Sequence, residues 1–329
     1  MVAGVPSVPK RLVERVGRYT EFRTAGFADW HPLRREQLII TRFGDVPQIH
    51  KVTFPAGART QLTFFPDRIG NASYEPTRGD YFLFMKDVGG GEWFQIFRYD
   101  LSNGDITMLT DGKSRNLGMI WNHTGTQIAY SSTRRTGKDT DLWVMNPLDK
   151  SSDKLVLELA GGGWGALDFS PDGKQIILQE ELSINESYLW LVDIEKKEKT
   201  LLTPKGGAEK ISYGRSRFSK DGKGIYLTTD QESEFQRLAY FDLATKKYTF
   251  LSTSIPWDIE DFDLSHDGRT LALTSNENGE SRVYLLSTPT GISFSGFSCF
   301  SISPRISRSL SIFSRVSASF FSVSAFFAL

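Results

Sequence analysis

Apolar runs of strand length alternate with tight polar turns along most of the chain, and the clearest instance is residues 167–181, LDFSPDGKQIILQEE. An apolar run reaches Phe169, Ser170-Pro171-Asp172-Gly173 reverses the chain, and a second run starts at Gln175. Proline fixes the φ that the second position of a type I turn requires, and the glycine takes the positive φ that follows, so the pattern predicts a tight β-hairpin. The same hairpin recurs at Phe218-Ser219-Lys220-Asp221-Gly222 and Leu264-Ser265-His266-Asp267-Gly268. Looser copies stand at Trp121-Asn122-His123-Thr124-Gly125, at Tyr74-Glu75-Pro76-Thr77-Arg78-Gly79 with one extra residue, and at Trp30-His31-Pro32, which has lost its glycine.

The anchors fall at positions 30, 74, 121, 169, 218 and 264, a spacing of 44 to 49 residues. Within each unit an aromatic-rich run follows the hairpin, at 94–100, 141–146, 188–193, 236–242 and 282–287. A short run ending in Leu-Thr or its equivalent comes next, at 60–63, 107–110, 200–203 and 249–252. A period in this range built from four strands predicts an all-β fold, a β-propeller of four-stranded blades. A blade packs both faces against neighbours, which suits runs apolar on both sides better than strict alternation. The alternative, a sandwich of unrelated strands, gives no reason for one hairpin to recur. The predicted blades cover residues 26–63, 71–110, 116–159, 165–203 and 213–252, and a sixth starts near 259 and is incomplete after 287.

Outside the repeat the text changes twice. Residues 1–24 form a lead-in: 2–9 are punctuated by Pro and Gly, and 10–24 suit a short helix or an extended strand, which periodicity does not decide. After the propeller at 25–290, residues 291–329 hold no Asp, Glu or Lys and are dominated by Ser and Phe. Three readings of this tail stay open. As a membrane span, its longest charge-free run is short and serine-rich. As a natural β extension, its Ser/Phe alternation is suitable. The abruptness of the change favours the third, aberrant or out-of-frame coding sequence in place of a native continuation.

Composition narrows the partners. The 39 basic residues balance 39 acidic ones, which speaks against nucleic acid or an anionic membrane as the main partner. Cys299 is the only cysteine, so no internal disulfide forms. No apolar segment of signal-peptide length opens the chain, so its default compartment is the cytoplasm.

Candidate chemistry is sparse. The nearest approach to a nucleophile elbow, Gly291-Ile292-Ser293-Phe294-Ser295, breaks at its last position. His31, His123 and His266 hold nearly the same place in three repeats, which points to a structural role. No His/Cys/Asp group has metal-ligand spacing. Gly161-Gly162-Gly163-Trp164-Gly165-Ala166 matches a dinucleotide pattern formally but leads into a strand, so it reads as an inter-blade loop. No catalytic, cofactor or metal residue is assigned, and no cofactor is expected. The substrate-contact candidates are Arg134 and Arg135, in the connection between the second and third strands of blade three, a pair suited to a carboxylate or to surface salt bridges.

The hairpin repeats, each followed by a run such as Leu189-Trp-Leu-Val-Asp193, resemble those shared by TolB and S9 serine peptidases. Tyr19-Thr-Glu-Phe-Arg23, Asp29-Trp-His-Pro32, Gln61-Leu-Thr-Phe-Phe-Pro66, the segment from Thr133 to Trp143, and Ser233-Glu-Phe-Gln-Arg-Leu238 are similar to the N-terminal domain of prolyl oligopeptidase and acylaminoacyl-peptidase types. The resemblance covers about residues 10–290. It implies a propeller, commonly seven-bladed, that caps an α/β-hydrolase domain and restricts access to short or unfolded peptides. No residue here matches that domain's Ser, Asp or His. The expectation is therefore a substrate-gating propeller, inactive alone, that meets peptides through a catalytic domain this chain lacks. A TolB-like interaction propeller with a protein partner is the alternative, and a six-bladed lyase or sugar-acting enzyme is a third reading.

Overall fold

In the computed structural model, residues 6–21, 23–207, 209–288 and the backbone of 297–301 are described. Six antiparallel sheets follow one another along the chain, and in each the strands pair in sequence order. The strands that open the sheets are Gly26–Trp30, Ile69–Tyr74, Asn116–Trp121, Trp164–Phe169, Tyr213–Phe218 and Ile259–Leu264. Contacts between sheets centre on these first strands, so the sheets radiate from them as the blades of a propeller. The sixth blade takes three strands from the repeat, Ile259–Leu264, Thr270–Glu277 and Glu280–Ser287. Beside the last of these runs Phe297–Ser301, pairing from Leu286↔Phe297 to Arg282↔Ser301, inside the region of altered composition. The readings of 1–5, 289–296 and 302–329 fall outside the described residues.

Each blade turns on the same device. Gly173 has φ 71° and donates its amide to the Ser170 carbonyl at 2.8 Å. The Ser170 hydroxyl donates to Asp172 Oδ1 at 2.6 Å and accepts the Gln175 amide at 2.9 Å. Ser219 and Ser265 repeat these bonds with Asp221 and Asp267. In blade three Asn122 takes the serine's place, its Oδ1 accepting the amides of Thr126 and Gln127. In blade two the Glu75 carboxylate accepts three amides, from Thr77, Arg78 and Gly79. In blade one His31 Nδ1 accepts those of Leu33 and Arg34, both at 3.1 Å. His31 thus occupies the acceptor position of its turn, whereas His123 and His266 follow the acceptors Asn122 and Ser265 by one residue.

The Leu-Thr endings also have a physical reason. Thr63, Thr110, Thr203 and Ser252 are almost completely buried, and their hydroxyls accept the amides of Ile49, Ile96, Leu189 and Leu238 in the third strands. A strand amide that would face the core unpaired is satisfied at the same place in four blades.

The second strands Tyr81–Lys86, Ile128–Ser132 and Gly224–Thr229 are buried along their full length, as expected for sheets covered on both faces. Five hydrophobic clusters fill the spaces between successive blades, from Leu38, Ile49 and Phe82 between the first two to Tyr226, Phe262 and Leu273 between the last two. None of these clusters joins blade six to blade one. Before the propeller, α1 (Lys10–Thr20) settles the open reading of the lead-in: Pro9 precedes it, and the Pro9 carbonyl accepts the amides of Leu12 and Val13.

Candidate functional site

Charged side chains near the propeller axis come from the first strands of blades four, five and six. Arg215 and Arg217 lie two apart on one strand and therefore project to the same side. The Arg217 Nη1 atom donates to the Leu167 carbonyl at 3.2 Å and lies 3.3 Å from Asp168 Oδ1 in blade four. On its other side, Arg217 Nε is 3.8 Å from Asp263 Oδ1 in blade six. Arg215 Nε lies 3.0 Å from Asp261 Oδ1, also in blade six. His123 of blade three completes the group, its Nε2 2.9 Å from the Phe169 carbonyl oxygen and 3.8 Å from Asp168 Oδ1. The two arginines keep 27% and 24% of their side chains accessible, so the cluster borders open space.

Electrostatics separates the two pairs. Burial pushes the Arg215 guanidinium below its ordinary value, and the neighbouring Arg217 charge adds to this. Burial likewise raises the Asp261 carboxyl, with the Arg215 charge only partly opposing it. Arg217 is moved the other way: burial opposes its charge, but Asp168, Asp263 and Asp261 outweigh that. Asp168, 3% exposed, also accepts the Phe218 amide at 2.9 Å, so its carboxylate is anchored twice. The charged pairs link blades four, five and six, with His123 of blade three beside Asp168.

The substrate-contact candidates lie elsewhere and apart in their bonding. Arg134 stacks over Trp143 at 4.3 Å, donates to Asp153 Oδ2 at 2.6 Å and to the Tyr130 hydroxyl at 3.1 Å. Arg135 forks onto Asp141 with two bonds of 2.9 Å and also donates to the Leu159 carbonyl. Both guanidiniums are engaged by carboxylates of their own blade. The glycine loop is tied down too: Gly161 donates its amide to Asp139 Oδ1 at 2.7 Å, and the chain continues into the strand Trp164–Phe169. Among the described residues no serine hydroxyl is hydrogen-bonded to a histidine. Among them also, no group of three or more His, Cys, Asp or Glu side chains is arranged to hold a metal ion.

The axial charges had a signal in the sequence. Asp29, Asp168, Arg217 and Asp263 each precede the large apolar residue that anchors its repeat. A charge at a fixed position of a buried strand is costly without a partner, and that cost marks the position.

Six four-stranded units around first strands define a β-propeller. The model of the family described as prolyl oligopeptidase, N-terminal beta-propeller domain matches residues 68–324, and the chain belongs to that family. No curated protein sequence matches it. Among solved structures, one from a study of two prolyl endopeptidases superposes with a TM-score of 0.63 at 16% identity, over 80% of this chain and 41% of that one. TolB from Acinetobacter baumannii gives 0.52 at 18%, over 81% of this chain and 61% of that one. An oligogalacturonate lyase in complex with manganese gives 0.62 at 13%, over 80% of this chain and 75% of that one. At these identities the likeness is one of fold. The chain spans less than two thirds of the prolyl endopeptidase and TolB chains.

Proposed function

We propose that this chain is the substrate-gating propeller portion of an S9-type serine peptidase, without hydrolytic activity of its own. The supporting observation is the family match, which runs through five of the six blades. In this reading the propeller selects peptides by access, and the cluster of Asp168, Arg215, Arg217, Asp261 and Asp263 gives the axial passage a polar lining. Bond cleavage requires a separate α/β-hydrolase domain. The test is hydrolysis of peptidyl-nitroanilides by the purified chain: turnover absent after stringent purification is expected, and turnover that copurifies with the chain refutes the reading.

The second reading is a TolB-like interaction propeller, favoured by the likeness to TolB over 81% of this chain. One stoichiometric protein partner, together with no hydrolase domain encoded in the same polypeptide, would select it.

A further inference from the structure

We propose that Lys199 is a site of covalent acylation: its side-chain amine takes an acyl group from a thioester. Lys199 lies in the fourth strand of blade four, Glu198–Leu201, opposite Val192 of the third strand. Side chains paired in this way leave the sheet on one side, and Trp190, two residues before Val192, leaves it on the same side. The Lys199 Nζ atom sits over two indole rings, 3.9 Å from the centre of Trp164 and 4.2 Å from that of Trp190. The ring centres are 6.0 Å apart. Each ring is fixed by its own N–H, Trp164 on the Ala160 carbonyl at 3.0 Å and Trp190 on Glu180 Oε2 at 2.9 Å. The slot is therefore built by blade four itself.

Lys199 is the amine in this group that no oxygen holds. Lys205, beside it, donates to both oxygens of Glu180, at 2.9 and 2.8 Å. Lys196 pairs with Asp193 at 3.1 Å and Lys210 with Glu186 at 3.0 Å. Among the described residues Lys199 Nζ has no such partner. The indole faces attract an ammonium and keep the half-buried side chain in the slot, but they offer it no carboxylate. Burial lowers its pKa; Glu180 opposes this, and the charge of Lys205 adds to it. Desolvation and a neighbouring cation are the conditions that make a lysine a nucleophile near neutral pH. In the reaction the Nζ lone pair attacks the thioester carbonyl carbon and the C–N bond forms. The C–S bond breaks, and the thiol leaves with the proton from the amine. The amide product is neutral, so the cation between Trp164 and Trp190 is lost. The site needs neither the axial cluster nor peptide hydrolysis.

The full chain is incubated at neutral pH with the N-acetylcysteamine thioester of acetic acid, and acetyl-lysine is mapped over time by peptide mass spectrometry. Lys199 should react about fivefold faster than Lys196, whose bond to Asp193 raises its pKa. Tryptophan fluorescence should change at the rate of Lys199 acetylation and stay constant in Lys199→Arg. Lys205→Met should slow the Lys199 reaction, because it removes a cation and frees Glu180 for Lys199. Glu180→Gln should speed it. The two variants move the rate in opposite directions, so a general loosening of the fold cannot mimic both. Acetylation of Lys199 no faster than that of Lys196, fluorescence that does not follow it, or a rate indifferent to both variants would each overturn the assignment.

Discussion

Asp168 in blade four accepts the backbone amide of Phe218 in blade five at 2.9 Å. Asp29 in blade one does the same for Tyr74 in blade two, at 2.8 Å. In both, a carboxylate on one first strand holds the next first strand at the position of its large apolar anchor, so blade spacing is set by a charge-assisted bond as well as by packing. In blade six Asp263 accepts only the Leu264 amide of its own strand among the described residues, at 3.0 Å, besides facing Arg217.

Replacing Asp168 by Ala leaves the Phe218 amide and the Arg217 guanidinium short of their partner inside the protein. Breaking a buried charged interaction costs about 3 kcal/mol. Urea unfolding of Asp168→Ala should show a loss of that size, against a change near zero for Asp105→Ala, whose bonds are local and exposed.

The hydroxyl endings of the fourth strands should matter more than their size suggests. Thr203→Val keeps the shape but leaves the Leu189 amide unpaired, and this costs about 2 kcal/mol. Thr203→Ser should recover most of it. Thermal melts of the two variants compare the hydrogen bond directly with the methyl group.

Two glycines with positive φ separate backbone strain from steric clash. Gly89, at φ 62°, faces open space, so Gly89→Ala should cost about 1 kcal/mol from conformation alone. Gly163, at φ 83°, approaches the Glu181 carbonyl oxygen so closely that a methyl group would collide with backbone. Gly163→Ala should therefore cost clearly more than Gly89→Ala in the same unfolding assay.

Acid stability should depend on Glu75. Burial raises its carboxyl, but bonds from the Thr77 hydroxyl and the amides of Arg78, Thr77 and Gly79 outweigh that and hold it below the usual glutamate value. A group lowered in the folded state stabilises above its unfolded value and loses that contribution as pH falls through the folded one. Melting temperature should thus fall as pH drops below about 4.3, and Glu75→Gln should flatten this part of the curve. Asp261 acts in the opposite sense: its raised value favours the folded protein on the acid side, and that contribution is lost as pH rises through its folded value.

The repeat made the fold legible. Ser-Pro-Asp-Gly in blade four encodes its own turn through bonds local to five residues, so sequence alone carries it. His31 stands one residue earlier in its turn than His123 and His266 do in theirs, and only the structure shows it as the acceptor, because that position can hold Ser, Asn, Glu or an imidazole nitrogen. The axial cluster was harder to see. Asp168 and Arg217 are 49 residues apart, and their meeting depends on how blades stack, which no local pattern states. Arg134 and Arg135 drew notice as neighbours in sequence, yet they turn to different carboxylates, Asp153 and Asp141.

In the proposed function these blades admit substrate and do not cut it. Labelling the purified chain with a fluorophosphonate, which reacts with serines activated for nucleophilic attack, addresses that claim most directly. Intact-mass spectrometry should find the chain unmodified. A stoichiometric adduct on one serine, abolished when that serine is changed to alanine, would contradict it.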